Sequence, residues 1–169
     1  LESYRCLATA LLAALHMLNI PAESHASPYS TPATTKGPVC FEVPSNYEIT
    51  VYGKKLVGSA QARRKEGILQ HGTLPLHGDL TRITQVLSFP DETARQAAAE
   101  RLSSRATNVK EILGYSPAWE ILVQAFQFAF QSVLNLELTL APLTPQEKTR
   151  TEELVREKFA NPSWTEREV

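Results

Sequence analysis

The chain has 169 residues, of which 43% are apolar and 21% charged, with a net charge of −1. This is ordinary globular composition with enough chain for a real core; the near-neutral balance gives no sign of a nucleic-acid or membrane-surface partner, and no apolar run approaches the ~20 residues that span a bilayer. Cys6 and Cys40, the two cysteines present, make a poor disulfide framework at this length, so the expected setting is reducing and cytoplasmic.

Tyr4, Leu7, Leu11, Leu15 and Leu18 recur at spacings of three and four, with Ala8 and Leu12 beside them, which predicts an amphipathic helix. It stops near Asn19, because Pro21 cannot continue it. From Ala26 to Pro38 the chain reads ASPYSTPATTKGP, which lacks an apolar period and reads as a mobile loop. Tyr47, Ile49 and Val51 then alternate with Glu48, Thr50 and Tyr52, as in a half-buried strand. Gly53 marks a turn, Leu56 to Ala62 reads as a second strand, and Gly67 to Leu76 as a third. Asp79 is placed to cap a short helix ending near Leu87, and Asp91 another that runs through Arg105. Ser116 followed by Pro117 predicts the start of a long helix, striped by Trp119, Leu122, Phe126, Phe130 and Val133. Its other face carries Val123, Phe128 and Leu134, so burial all round is expected. Glu137 to Leu140 reads as a brief strand. Thr144, Pro145 and Glu147 open a last helix with capping-box spacing. No internal repeat is visible. Antiparallel strands followed by a block of helices indicate an α+β fold, an antiparallel sheet packed with helices, with residues 1–169 as a single domain.

Several residues invite chemistry. Cys6, beside Leu7 on the first helix, reads as a small core residue. Cys40 follows the loop and Gly37-Pro38 and precedes a strand; it is open to a structural reading or a chemical one. A free thiol titrates near about 8.5, so a nucleophilic cysteine needs a neighbouring cation to favour its thiolate. Lys54 and Lys55 are candidates, and in a strand they point to opposite sides, so one at most serves. His71 and His77 are read at the two ends of a strand, ~20 Å apart, too far to chelate one metal. With no third ligand cluster, a metal site is rejected. His71 beside Gly72 is open to a pocket-lining role. The run Arg63-Arg64-Lys65 reads as a solvated turn, with contact to an acidic partner as the sharper alternative. Neither a phosphate-cradling glycine loop nor a Gly-x-Ser-x-Gly elbow is present.

The ordered string CFEVPSNYEITVYGKKLVGSAQARRKEGILQHGTLPLHGDL resembles the biotin/lipoate protein ligase superfamily. Lys55, Gly58 and Ala60 match a Lys-x-x-Gly-x-Ala signature. His71-Gly72-Thr73-Leu74 and Asp79-Leu80 match the strand and helix cap that follow it. Cys40-Phe41 ahead of Pro44-Ser45-x-Tyr47-Glu48 is similar to the cysteine-dependent octanoyltransferases of the LipM type, as are LTPQEKTRTEELVREKF and NPSW near the end. The resemblance implies that Cys40 is an acyl-thioester nucleophile and that Lys55, not Lys54, lowers its pKa. It implies substrate contacts at Gly58, Ser59, Ala60, His71 and Gly72. It further implies octanoyl-acyl carrier protein as donor, a lipoyl domain or the glycine-cleavage H protein as acceptor, and no cofactor. Apolar strand residues such as Leu56 and Leu74 are suited to lining an acyl tunnel. The family's upstream Arg-Arg-x-x-Gly-Gly-like segment is absent. The chain is therefore expected to be the carboxyl-terminal portion of a longer domain, its amino-terminal part lost, cleaved or carried on a separate chain. Two other readings stand beside the transferase: an ATP-dependent lipoate-protein ligase, and a non-catalytic fragment or partner subunit. Cys40 favours the transferase over the ligase.

Overall fold

The computed structural model describes residues 2–25 and 48–166. The expectations for the loop of residues 26–38, for Tyr47 and for Cys40 lie outside the described residues. Residues Leu1–Glu137 and Leu138–Val169 form two separate units. No helix among the described residues is long and apolar enough to cross a membrane.

The first unit is α+β, and its sheet is an antiparallel meander in the order β1-β2-β3-β4. The strands are β1 (Glu23–His25), β2 (Glu48–Val51), β3 (Lys54–Arg64) and β4 (Gly67–Thr73). Tyr52 and Gly53 join β2 to β3 with φ of 51° and 76°. Two residues with positive φ make the type I′ turn whose twist suits a hairpin, and it sets Val51 opposite Lys54. The predicted third strand ends early, at Thr73. Pro75 has no N–H for a ladder, and the carbonyls of Pro75 and Leu76 accept instead from the backbone N–H groups of Val109 and Lys110, at 3.0 and 2.9 Å.

Helix α1 (Glu2–Met17) ends in an αL residue, Asn19, just before Pro21. It packs along α4 (Trp119–Leu134). Leu15, Leu18 and Ile20 meet Ile49, Val51, Leu56, Val57, Val109 and Leu122 in the core. A 3-10 turn (Leu80–Gln85) is capped by Asp79, whose carboxylate accepts from the Thr81 N–H at 2.8 Å and its hydroxyl at 2.7 Å. These bonds, the hydroxyl's first, hold the Asp79 carboxyl below its ordinary range. Asp91 caps α2 (Glu92–Arg105), where Leu102 and Ala106 gather Leu80, Leu87 and Phe89. A short helix, α3 (Val109–Leu113), was not expected from the sequence; buried Asn108 caps it.

Three expectations need correction. Helix α4 begins at Trp119 after Ala118, which gives no side-chain cap, rather than at Pro117 after Ser116. Glu120 in the first turn suits the helix dipole. Nor is α4 buried all round: Leu122, Ala125 and Ala129 are buried, while Trp119, Ile121, Val123 and Phe128 are exposed. The small alanines let α1 approach on one side of the helix. The segment from Glu137 to Leu140 is irregular rather than a strand; it adds to no described ladder, and an extended segment without one leaves its backbone groups to water.

The second unit is helical. Helix α5 (Pro145–Leu154) carries the expected capping box. Thr144 Oγ1 accepts from the Glu147 N–H at 3.2 Å, and Glu147 Oε2 accepts from the Thr144 N–H at 2.7 Å. The helix runs into a π turn (Val155–Phe159), then α6 (Pro162–Thr165). There Phe159 and Trp164 meet edge to face, with the Lys158 ammonium over both rings.

This packing predicts that Leu15→Ala, at a fully buried site, costs ~2–5 kcal/mol. Ile68→Ala, at a position 55% exposed on β4, should stay within ~0.5 kcal/mol. Urea unfolding followed by circular dichroism measures both, and equal losses would contradict the assignment of the α1 interface as core.

Candidate functional site

Two adjacent lysines open β3 and end in different surroundings. The Lys54 ammonium donates to the carbonyl oxygen of Ser103, near the end of α2, at 3.1 Å in an exposed position. Lys55 turns inward, and its side chain keeps 9% of its exposure. Its ammonium meets Oε1 of Glu48, on β2, at 2.5 Å, and the Glu48 side chain is itself 15% exposed. Successive residues of one strand point to opposite sides, and here Lys54 is half-buried while Lys55 is buried.

The backbone fixes Lys55 from two sides. On one it pairs with Thr50 of β2. On the other it forms a parallel bridge with Ala106, and its carbonyl accepts from the Thr107 N–H at 3.0 Å. The β2–β3 register shifts between the Ile49–Val57 and Thr50–Lys55 pairs. Such irregularities re-aim a side chain relative to the pleat, and Leu56 and Val57 are both buried beside this one.

Farther along β3, the residues singled out by the sequence lie opposite one another. Gly58 pairs with Thr73, Ser59 with Gly72, and Ala60 with His71. A methyl group added at Gly72 would lie 3.3 Å from both the Gly58 carbonyl oxygen and the Ser59 hydroxyl, so a side chain there would crowd the ladder. The hydroxyl of Tyr4 on α1 reaches the Ser59 carbonyl at 3.4 Å. His71 is exposed and lies within β4; His77 lies past the strand, which Pro75 ends, so the two are not its termini. Arg63 and Arg64 close β3, and Lys65 follows in the turn.

Gly72, Leu74 and Leu76 form one wall of an apolar cleft of about 290 Å³. Trp119, Leu122, Val123 and Phe126 of α4 form the other. Leu74 thus lines the cleft as the sequence suggested, whereas Leu56 is fully buried in the core. Such a cleft suits a hydrocarbon chain, at ~0.8 kcal/mol for each methylene removed from water.

Sequence reasoning missed the support of that wall. Asn108 is 2% exposed; its Nδ2 donates to the Gly78 carbonyl at 3.2 Å and to Glu111 Oε1 at 2.8 Å, while its Oδ1 accepts from the Glu111 N–H at 3.0 Å. With the bonds from Val109 and Lys110 it ties residues 75–78 to the start of α3. The Asn-x-x-Glu spacing from Asn108 to Glu111 was the available signal. Glu48 was also passed over, although a strand pair joined by a two-residue turn brings opposite charges across the ladder. Cys6 departs from expectation: its thiol is free and exposed. The buried side of α1 runs through Ala8, Ala10, Ala14, Leu15 and Leu18, and Cys6 faces away with exposed Thr9 and His16.

Residues 1–131 match the family described as the lipoyl protein ligase A/B catalytic domain. The octanoyltransferase LipM of Brevibacillus brevis is 33% identical over 170 residues, covering 96% of this chain and 60% of that protein. Its counterpart in Bacillus cereus is 34% identical over 172 residues, with the same coverage. The chain thus spans about 60% of the length of these relatives. Among solved structures, a bi-partite lipoate protein ligase from Thermoplasma acidophilum superposes with a TM-score of 0.75 at 22% identity, over 96% of this chain and 56% of that one. A lipoate-protein ligase A bound with ATP gives 0.67 at 22% identity, over 96% and 57%. These likenesses confirm the fold.

Lys55→Ala strips a buried carboxylate of its ammonium and should cost ~3 kcal/mol in urea unfolding, whereas Lys54→Ala should cost under ~1 kcal/mol. Similar small losses from both would contradict a buried Lys55–Glu48 pair.

Proposed function

The chain belongs to the lipoyl protein ligase A/B catalytic-domain family, and on that premise we propose that it is an octanoyltransferase of protein lipoylation. The observation that carries the reading is the similarity to octanoyltransferases over 96% of the chain, joined to Cys40 and to a buried Lys55 on the matching signature.

The reaction proceeds in two acyl transfers. The Cys40 thiolate attacks the thioester carbonyl of octanoyl-acyl carrier protein; the carbonyl–sulfur bond to the carrier breaks, the carrier leaves as its thiolate, and a new thioester forms on Cys40. The amine of a lysine on a lipoyl domain, or on the glycine-cleavage H protein, then attacks that thioester. The Cys40 thiolate leaves, the nitrogen loses a proton, and an amide remains. Lys55 supplies a fixed positive charge that favours the thiolate and the oxyanion of each tetrahedral intermediate. Gly58, Ser59, Ala60, His71 and Gly72 border the acyl group, and the apolar cleft takes its tail. The donor already carries an activated acyl group, so the transfer consumes neither nucleotide nor metal. The proposed setting is the cytoplasm. A further polypeptide segment, upstream or on a separate chain, completes the domain over residues 1–169; the exposed apolar side chains of α4 support this.

The ligase reading draws on the likeness to lipoate protein ligases, and one assay separates the two. This chain, alone and with the relatives' upstream portion supplied, is given octanoyl-acyl carrier protein and a lipoyl domain in EDTA without nucleotide. The acceptor should gain one octanoyl group, and Cys40→Ser should abolish the gain. Transfer that occurs only with free octanoate or lipoate plus ATP would replace the transferase by the ligase. Persistence of the EDTA-resistant transfer in Cys40→Ser would remove Cys40 from its role.

A further inference from the structure

We propose that Glu48 is a positioning residue of the acyl-transfer site, setting where the Lys55 ammonium stands. This inference rests on the transferase reading for the reaction that Lys55 serves. The geometry is its own.

A lysine whose side chain is 9% exposed has lost most of its hydration, and an ammonium in such a place persists only beside a compensating acceptor. Glu48 Oε1 provides it at 2.5 Å, within reach of a charge-assisted hydrogen bond. Both residues stand on strands rather than loops. Glu48 begins the described part of β2, Lys55 is the second residue of β3, and a two-residue turn ties the hairpin between them. The register shift falls between them, at the Ile49/Thr50 step. The backbone of Lys55 is also bonded at Thr107. The lysine stem is flexible by nature, so with its backbone fixed the bond to the Glu48 carboxylate helps set the position of Nζ. A cation that must face a thiolate and then an oxyanion gains from being held in place before the charge develops.

Glu48 also shares the charge it positions. An anion formed in the site competes with the carboxylate for the same ammonium, and the Lys55 side chain answers both from one place. A carboxylate withdrawn by one methylene keeps the ion pair but draws Nζ away from its working position, and displacements of ~1 Å cost up to ~100-fold in rate.

The test compares wild type with Glu48→Asp and Glu48→Gln. Folding is checked by circular dichroism. Transfer is measured with octanoyl-acyl carrier protein and, separately, with octanoate plus ATP. A third readout needs no turnover: brief acetic anhydride labelling of Lys55, mapped by mass spectrometry against half-buried Lys54. The expected result is a fall in kcat of about tenfold or more in both variants, with KM for the donor within about threefold. Labelling of Lys55 relative to Lys54 should rise about fivefold or more in Glu48→Gln, because the amine is no longer held inward. Glu48→Asp preserves the charge pair, so it keeps the comparison interpretable if Glu48→Gln folds poorly. A folded Glu48→Asp with kcat within about twofold of wild type and unchanged Lys55 labelling overturns the proposal and leaves the pair a structural one. Turnover with ATP alone rejects the transferase reading, while the ratio of variant to wild type still decides the role of Glu48.

Discussion

A lysine charge shut away from water has to be neutralised where it stands, and around Lys55 the sheet is built to do so. Removing an ammonium from water costs several kcal/mol even after relaxation, and a nearby carboxylate offsets that cost only with good geometry. Good geometry here means a fixed register. The Tyr52-Gly53 turn sets the β2–β3 pairing, the register shift turns the pleat at Thr50 and Lys55, and the Ala106-Thr107 junction closes the other side of the strand. Loosening any of these would move the ammonium relative to Glu48.

The same strand carries the rest of the candidate site. About 10 Å along β3 from Lys55, Gly58, Ser59 and Ala60 lie across from Thr73, Gly72 and His71. Beyond Gly72 the chain leaves the sheet at Pro75 and passes to the start of α3, where Asn108 and two backbone N–H groups hold it. That hold turns Leu74 and Leu76 into a wall, and α4 supplies the facing one. Charge and apolar cleft thus belong to the two successive hairpins that share β3 and to the two helices that brace them. In the proposed reaction the cleft receives the tail of the acyl group, and the ammonium serves the atoms that exchange bonds.

The elements most legible in the sequence had short-range causes. The alternation around Ile49 and Val51, the turn at Gly53, the Asp79 and Asp91 caps and the Thr144–Glu147 box are all local, and the structure contains them. The opposite fates of Lys54 and Lys55 were legible as an alternation, though which of them goes inward is decided by β2 and by the Ala106-Thr107 junction. What failed was set at long range. The exposed face of α4 and the outward thiol of Cys6 depend on which side of each helix meets the other. Helix α3 is too short for periodicity to betray it, and Glu48 looked like the polar side of a strand until its partner across the hairpin was known. The family resemblance supplied roles for Cys40 and Lys55 that spacing alone left open.

The most direct test of the account is to incubate the chain, with the relatives' upstream portion supplied, with octanoyl-acyl carrier protein and no acceptor, then digest it and map the adduct. The account predicts one octanoyl group, on the peptide containing Cys40 and labile to hydroxylamine as a thioester is, with Cys6 unmodified although exposed and Lys55→Ala forming the adduct more slowly. An adduct on Cys6, or a wild-type protein that stays unmodified while the same preparation joins octanoate to a lipoyl domain with ATP, would contradict it.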